Sequence, residues 1–303
     1  MKRLVLLALL VLPGCTEVYL SPGGLDSNSG TEGSPKRSLQ AACAVPRDEQ
    51  GRLIVMGEGT YPEQAITPIC DKTLVVGQGK ATIRSTSPSS VSAALQIEAN
   101  DIQVQGVDVD GAALKRKGIH VNSNRVRLRD MDIGNINDDK GVEIWGDDVR
   151  LERSYVHDVR ITQSDTHNEC VFLVGAQRTH ITGNTFTGCA TYDVALTRCT
   201  WCSPPGTAGA GGVIEDNIFN FSRQYGGTIH YTELAFYSYM DEVRDFTVRR
   251  NFFETRADDP NTPANEVRGG VLLEPPWVGG IRCGNIEGPA QGVLGAVWKV
   301  PCQ

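Results

Sequence analysis

Apolar and polar residues alternate within a ten-residue pattern, and that pattern returns seven times along the chain. The copies are NDIQVQGVDV from residue 100, NRVRLRDMDI from 124, DDVRLERSYV from 147, QRTHITGNTF from 177, AGGVIEDNIF from 210, RDFTVRRNFF from 244 and VGGIRCGNIE from 278. Alternation is the period of a β-strand. The starts lie 24, 23, 30, 33, 34 and 34 residues apart, so one structural unit repeats and lengthens where residues are inserted between copies. The eighth place reads Val107, Met131, Ser154, Asn184, Asn217, Asn251 and Asn285, and the tenth reads Val109, Ile133, Val156, Phe186, Phe219, Phe253 and Glu287. Like residues at one phase are expected to stack on rungs about 4.8 Å apart, Asn bonded to Asn and Phe packed on Phe. The asparagines therefore read as structural.

A second series, KGIHVNS from 117, KGVEIWG from 140, ECVFLVG from 169, YDVALTR from 192 and GGVLLEP from 269, stands at the front of most coils. Its alternation predicts an inward set of Ile119/Val121, Val142/Ile144, Val171/Leu173, Val194/Leu196 and Val271/Leu273. The outward set is then His120, Asn122, Glu143, Trp145, Asp193 and Thr197, with Lys117, Lys140 and Glu169 at the strand entrances. Short β-branched strands at this spacing suit parallel strands stacked as a solenoid around an apolar lumen. The Leu-x-x-Leu-x-Leu signature of leucine-rich repeats is absent. A β-propeller needs longer periods and hairpin turn signals inside each unit.

On these repeats the chain resembles the bacterial right-handed parallel β-helix proteins of the pectate-lyase-like superfamily. YLSPGGLDSNSGTEGSPKRSLQAA (19–42) is similar to that group's amino-terminal lead-in, and RLIVMGEGTYPEQ (52–64) and KTLVVGQGKATIRS (72–85) are similar to its first coils. The resemblance implies an all-β, single-domain right-handed parallel β-helix with an N-terminal cap. Residues 1–14 are expected to be an export signal, 15–51 the lead-in segment and capping helix, and 52–303 the helix proper. It implies no single activity, because the scaffold carries lyases, hydrolases, epimerases, phage tailspikes and noncatalytic surface proteins.

Charge and cysteines narrow the setting. A net charge of −7 argues against a nucleic-acid partner. Met-Lys-Arg followed by the apolar run Leu4–Leu12 and Pro13-Gly14-Cys15 reads as an export signal of lipoprotein type, with Cys15 as the lipidated residue holding the protein at a membrane surface. Without Cys15, an even set of eight cysteines is left, which suits an oxidising compartment. Pairing of sequence neighbours, Cys43 with Cys70, Cys170 with Cys189, Cys199 with Cys202 and Cys283 with Cys302, is the expectation among the 105 connectivities that eight cysteines permit. Cys199-Thr-Trp-Cys202 also fits a redox or zinc spacing, but neither a second close pair nor a neighbouring histidine completes a metal set, so a loop staple is preferred.

The longest insertions, 158–168, 221–232 and 255–268, fall before second-series strands and are expected to line one edge of that face as a binding groove. His120 and Glu143 occupy equivalent places on adjacent rungs, as do Lys140 and Glu169; the bland reading of both is an ion pair. Asp165, His167 and Glu169 alternate along an extended run, where the alternative is a turn-closing loop. Elimination from a uronate polymer needs a base and a cation that stabilises the enolate-like anion. Lys140, His167 and Arg198 are candidates for those roles, with Glu169 and Asp193 beside them. Glu143, Asp165 and Glu169 are the candidate Ca²⁺ ligands, and His120, Glu143, Trp145 and Arg160 the candidate substrate-binding residues. Hydrolysis needs a carboxylate pair, for which Asp193 with Glu169 or Asp165 serves; the adjacent pairs Asp138-Asp139 and Asp147-Asp148 sit in turn-like sequence. A noncatalytic surface protein would use Trp145, Phe172, Tyr192 and Tyr225 as sugar platforms. The leading expectation is a monomeric envelope protein eliminating an extracellular acidic polysaccharide, followed by noncatalytic glycan binding and then by glycoside hydrolysis.

Overall fold

The computed structural model describes residues 15–89, 92–162, 168–197, 210–220, 232–236, 243–254, 271–273, 277–287 and 301–302. The export signal and residues Asp165, His167, Arg198, Cys199, Cys202 and Tyr225 lie outside them. Every pairing between named strands is parallel, as one expects when each coil lays its strands on those of the coil before it. The protein is an all-β parallel β-helix. Its first-series strands form one large sheet, and its second-series strands form another of eight, each pairing with its counterpart one coil on.

Register shows how the lumen fills. Ile54, Val75, Val104, Leu128, Leu151, Ile181, Ile214 and Val248 are successive partners on one inner row. Ile66, Ile97, Val121, Ile144, Leu173 and Leu196 make the facing row. All of these side chains are buried, each stabilising by about 1.5–3 kcal/mol relative to exposure. At the foot, strand Thr16–Leu20 is the first rung, pairing with Arg52–Met56. The helix Leu39–Cys43 caps the lumen with Leu39, Ala42 and Cys43, and its N-cap Ser38 accepts from the Ala41 N–H at 3.1 Å.

The asparagine column is built as expected. Asn184, Asn217, Asn251 and Asn285 are buried at one turn, each amide donating to a backbone carbonyl inside the coil, at 2.8 Å in Asn184 to Leu151. Ser154 continues the column, its N–H donating to Asn184 Oδ1 at 2.9 Å. Phe186, Phe219 and Phe253 stack with centroids 5.2 and 4.7 Å apart. Three of the expected disulfides are present: Cys43–Cys70, Cys170–Cys189 and Cys283–Cys302.

One expectation is overturned. Asp193 does not face outward: it is fully buried, and its carboxylate lies within 4.8 Å of the Cys170 and Cys189 sulfurs. Two consecutive residues face the lumen at the start of the second-series strands from Gly118 to Asp193, so simple alternation misplaces the first of them. Gly118 and Gly141 stand at this place in earlier coils; a Cβ on Gly118 would lie 2.5 Å from the Gly141 carbonyl and 2.8 Å from Ile136 Cδ1. Cys170 fills the place with a half of its disulfide, and Asp193 fills it with a carboxylate.

Candidate functional site

The outer face of the second sheet gathers most of the expected residues that the structure describes. Each strand sends out its first and fourth residues, giving the entrance row Lys117, Lys140, Glu169 and Tyr192 and the middle row His120, Glu143, Phe172 and Ala195. Gln96 precedes His120 in the middle row, and Ala235 follows Ala195. Identical register converts residues far apart in sequence into neighbours about 4.8 Å apart. The row is polar over the early rungs and becomes apolar where Phe172 packs with Tyr192, Ala195 and Ala235.

The polar part is a network of charges held close to one another. Lys117 Nζ lies 2.9 Å from Glu143 Oε2, and His120 Nε2 lies 3.5 Å from the same oxygen. Gln96 Nε2 is 2.9 Å from His120 Nδ1; an amide nitrogen only donates, so Nδ1 accepts and the imidazole proton sits on Nε2, toward Glu143. Trp145 meets the His120 ring edge-on at 6.0 Å. Burial pushes the His120 pKa below its ordinary value and the Lys117 cation adds to this, against the opposing pull of Glu143.

Next to it, Lys140 Nζ lies 3.4 Å from Glu169 and 5.5 Å above the Phe172 ring. Glu169 is only 1% exposed, so this pair is shielded from solvent. Asp139, in the turn before Lys140, is buried too; burial raises its pKa, outweighing the Lys140 backbone N–H that its Oδ1 accepts at 2.9 Å. The sequence reading assigned Asp139 to a turn and missed this. The neighbouring Asp138 is indeed a turn residue, accepting from the Thr162 N–H at 2.6 Å.

Two candidates stand elsewhere. Arg160 belongs to the first-series strand Tyr155–Arg160, where it pairs with Asp158 at 3.0 Å and reaches Asn135 at 3.3 Å, away from the second-sheet face. Asp193 is in the lumen, as described. Among the described residues, the set of three potential metal ligands with atoms within 4.8 Å is Cys170, Cys189 and Asp193, and both sulfurs are already joined in a disulfide. Glu143 and Glu169 each face a lysine, and no third described carboxylate joins them in such a set. Asp165, the third expected Ca²⁺ ligand, lies outside the described residues.

The fold is shared with carbohydrate-active proteins of low sequence identity. An alginate lyase from Paenibacillus sp. str. FPU-7 superposes with a TM-score of 0.57 at 18% identity, over 80% of this chain and 91% of that one. A pectin methylesterase in complex with a hexasaccharide gives 0.51 at 10% identity, over 94% and 92%. A family 28 exopolygalacturonase from Yersinia enterocolitica gives 0.50 at 10%, over 90% and 65%. No curated protein sequence matches the chain. The family model described as "Right handed beta helix region" matches residues 93–253, more than half of the chain, and the protein belongs to that family of right-handed parallel β-helices.

Proposed function

We propose that the protein is an exported enzyme that cleaves an acidic polysaccharide by β-elimination on the outer face of its second sheet. The observation that carries this is the position of His120, 3.5 Å from the Glu143 oxygen that also holds Lys117 and edge-on to Trp145. In this reading, the substrate displaces the Gln96 amide from His120 Nδ1, the ring nitrogen that carries the lone pair, and Nδ1 removes the proton alpha to a uronate carboxylate while Lys117 and Lys140 neutralise that carboxylate. The electron pair released from the C–H bond forms the new double bond, the bond to the glycosidic oxygen breaks, and Asp139, biased by burial toward its protonated form, donates a proton to the leaving oxygen. Glu143 orients the imidazole, and the partly exposed Phe172, backed by Tyr192, forms the apolar wall for the next sugar. A uronate substrate is consistent with the names of the alginate lyase and the exopolygalacturonase that share the fold. Three disulfides favour an oxidising compartment. Cys15 carries a free thiol one residue before the first rung, where acylation would hold the capped end of the solenoid against a membrane.

The test is incubation of the protein with alginate, pectate and glycosaminoglycans. Elimination gives ultraviolet absorbance from the unsaturated product, and His120→Gln lowers that rate by about 10²-fold or more. New reducing ends without absorbance would replace this reading with hydrolysis. Binding without any cleavage would replace it with a glycan-binding role, a reading that the existing Lys117–Glu143 and Lys140–Glu169 pairs also accommodate.

A further inference from the structure

The outer side of the first sheet carries a groove of about 580 Å³ that the site above does not use. It crosses the strands Gly59–Tyr61, Thr73–Arg84, Ile102–Lys115, Asp132–Asn137 and Tyr155–Arg160. Its floor presents one polar side chain per rung, Thr60, Thr82, Asp108 and Asp132 in turn, and the row continues into Tyr155. We infer that this groove is a second carbohydrate site, which takes a segment of neutral polysaccharide lying along the stacking axis.

The lining decides the class of ligand. Its cations are mostly spent within the wall. Arg84 lies 3.4 Å from Asp110, and His157 bridges Asp132 at 2.8 Å and Asp158 at 2.9 Å. Asp110 also accepts from the Asn135 amide at 2.9 Å and the Ala112 N–H at 2.8 Å. What remains toward the groove is Lys80 with the carboxyls of Glu58 and Asp108, an unfavourable balance for a polyanion such as a uronate chain or a nucleic acid. A peptide needs apolar pockets for its side chains, and Val109 is the one large apolar residue in the lining. Threonine hydroxyls and carboxylates at rung spacing instead match a linear polymer of uncharged, hydroxyl-rich units whose repeat is close to one rung.

Tyr155 supplies the flat surface that such a ligand uses. It is 39% exposed, and its ring is stacked on His157 with centroids 4.4 Å apart and planes 15° apart. The two carboxylates on either side of His157 fix the imidazole, and the imidazole fixes the tyrosine, so the platform loses little freedom when a sugar packs on it.

The test is affinity electrophoresis of the intact protein through gels containing xylan, glucomannan, mixed-linkage β-glucan or arabinogalactan, with a pectate gel alongside. At least one neutral polymer should retard the protein. Asp108→Ala and Tyr155→Ala should each weaken that retardation by about tenfold, with the melting transition of each variant recorded to show that it is folded. Both variants should keep their behaviour toward uronate polymers, which separates this site from the one on the second sheet. Oligosaccharides of the retarding polymer should also shift the His157 ring resonances in NMR. The inference is overturned if no neutral polymer retards the protein, or if retardation survives both substitutions.

Discussion

Asn251 Oδ1 accepts two hydrogen bonds from the rung before it, from the Asn217 backbone N–H at 3.1 Å and from the Asn217 side-chain amide at 2.9 Å. Asn217 in turn serves Asn184 in the same way and donates to the Ile181 carbonyl at 2.8 Å. Each asparagine thus satisfies buried backbone groups of two coils at a tight turn where water is excluded. Replacing Asn217 by Ala leaves the Asn184 N–H and the Ile181 carbonyl without these partners. At about 1–3 kcal/mol for each orphaned buried group, the loss should be near 3 kcal/mol. A urea titration should show a lower midpoint at unchanged slope; a loss below about 1 kcal/mol would mean that the column is ornamental.

Phe219 lies between Phe186 and Phe253, its planes within 17° and 12° of theirs, and it is fully buried. Phe219→Ala opens a cavity in the middle of the stack and should cost about 3–5 kcal/mol. Phe219→Leu should recover more than half of this by refilling the volume. If the leucine variant is no better than the alanine, ring stacking rather than volume is what the column contributes.

The repeated places explain how much was readable in advance. The eighth place of each copy and the tenth place of the first six are buried positions, where neighbours demand like residues, so Asn184 to Asn285 and the Phe column were legible from phase alone. The ninth place, which reads Asp108, Asp132 and Tyr155 in the first three copies, is the outward row of the groove. Its signal is present in the sequence, in chemistry shared by adjacent copies at one phase, but outward places carry no packing demand that would mark them as a row. Asp193 was misplaced for a different reason. Strict alternation has no term for two consecutive lumen residues, and only the glycines at the matching places of earlier coils, Gly118 and Gly141, hint that the backbone there runs close to its neighbours. Asp139 was hidden because an Asp-Asp pair in a turn looks the same whether its carboxyl is solvated or buried.

His157 gives the fold a pH-dependent contribution of definite sign. Its hydrogen bond to Asp132 raises its pKa most, the contact with Asp158 adds to this, and burial opposes both. The folded value lies above the unfolded one, about 6.5. Stability from this group is therefore fully present below about pH 6.5 and is lost as pH rises through the raised folded value. His120 and His180 shift the other way, so the contribution is read as a difference between proteins. The stability gap between wild type and His157→Asn should be largest near pH 6 and shrink toward pH 9 (approximate limits set by the ordinary imidazole pKa). A gap that widens with pH would contradict the raised pKa of His157 between its two carboxylates.

Lys140 and Glu169 separate what the second-sheet site needs for folding from what it needs for chemistry. Glu169 is almost fully buried and the lysine lies 3.4 Å away, over the Phe172 ring. Removing the lysine alone leaves a buried carboxylate short of its nearest cation, which typically costs about 3–5 kcal/mol. Lys140→Met should therefore destabilise strongly. The double variant Lys140→Met with Glu169→Gln removes both charges at nearly constant volume and should recover most of that stability, because the remaining amide carries no charge to compensate. If Lys140 also neutralises a substrate carboxylate, the recovered fold should still be slow on uronate polymers, whereas wild-type rates in the double variant would reduce the pair to a structural one. Melting curves and cleavage rates measured on the same three proteins distinguish these outcomes.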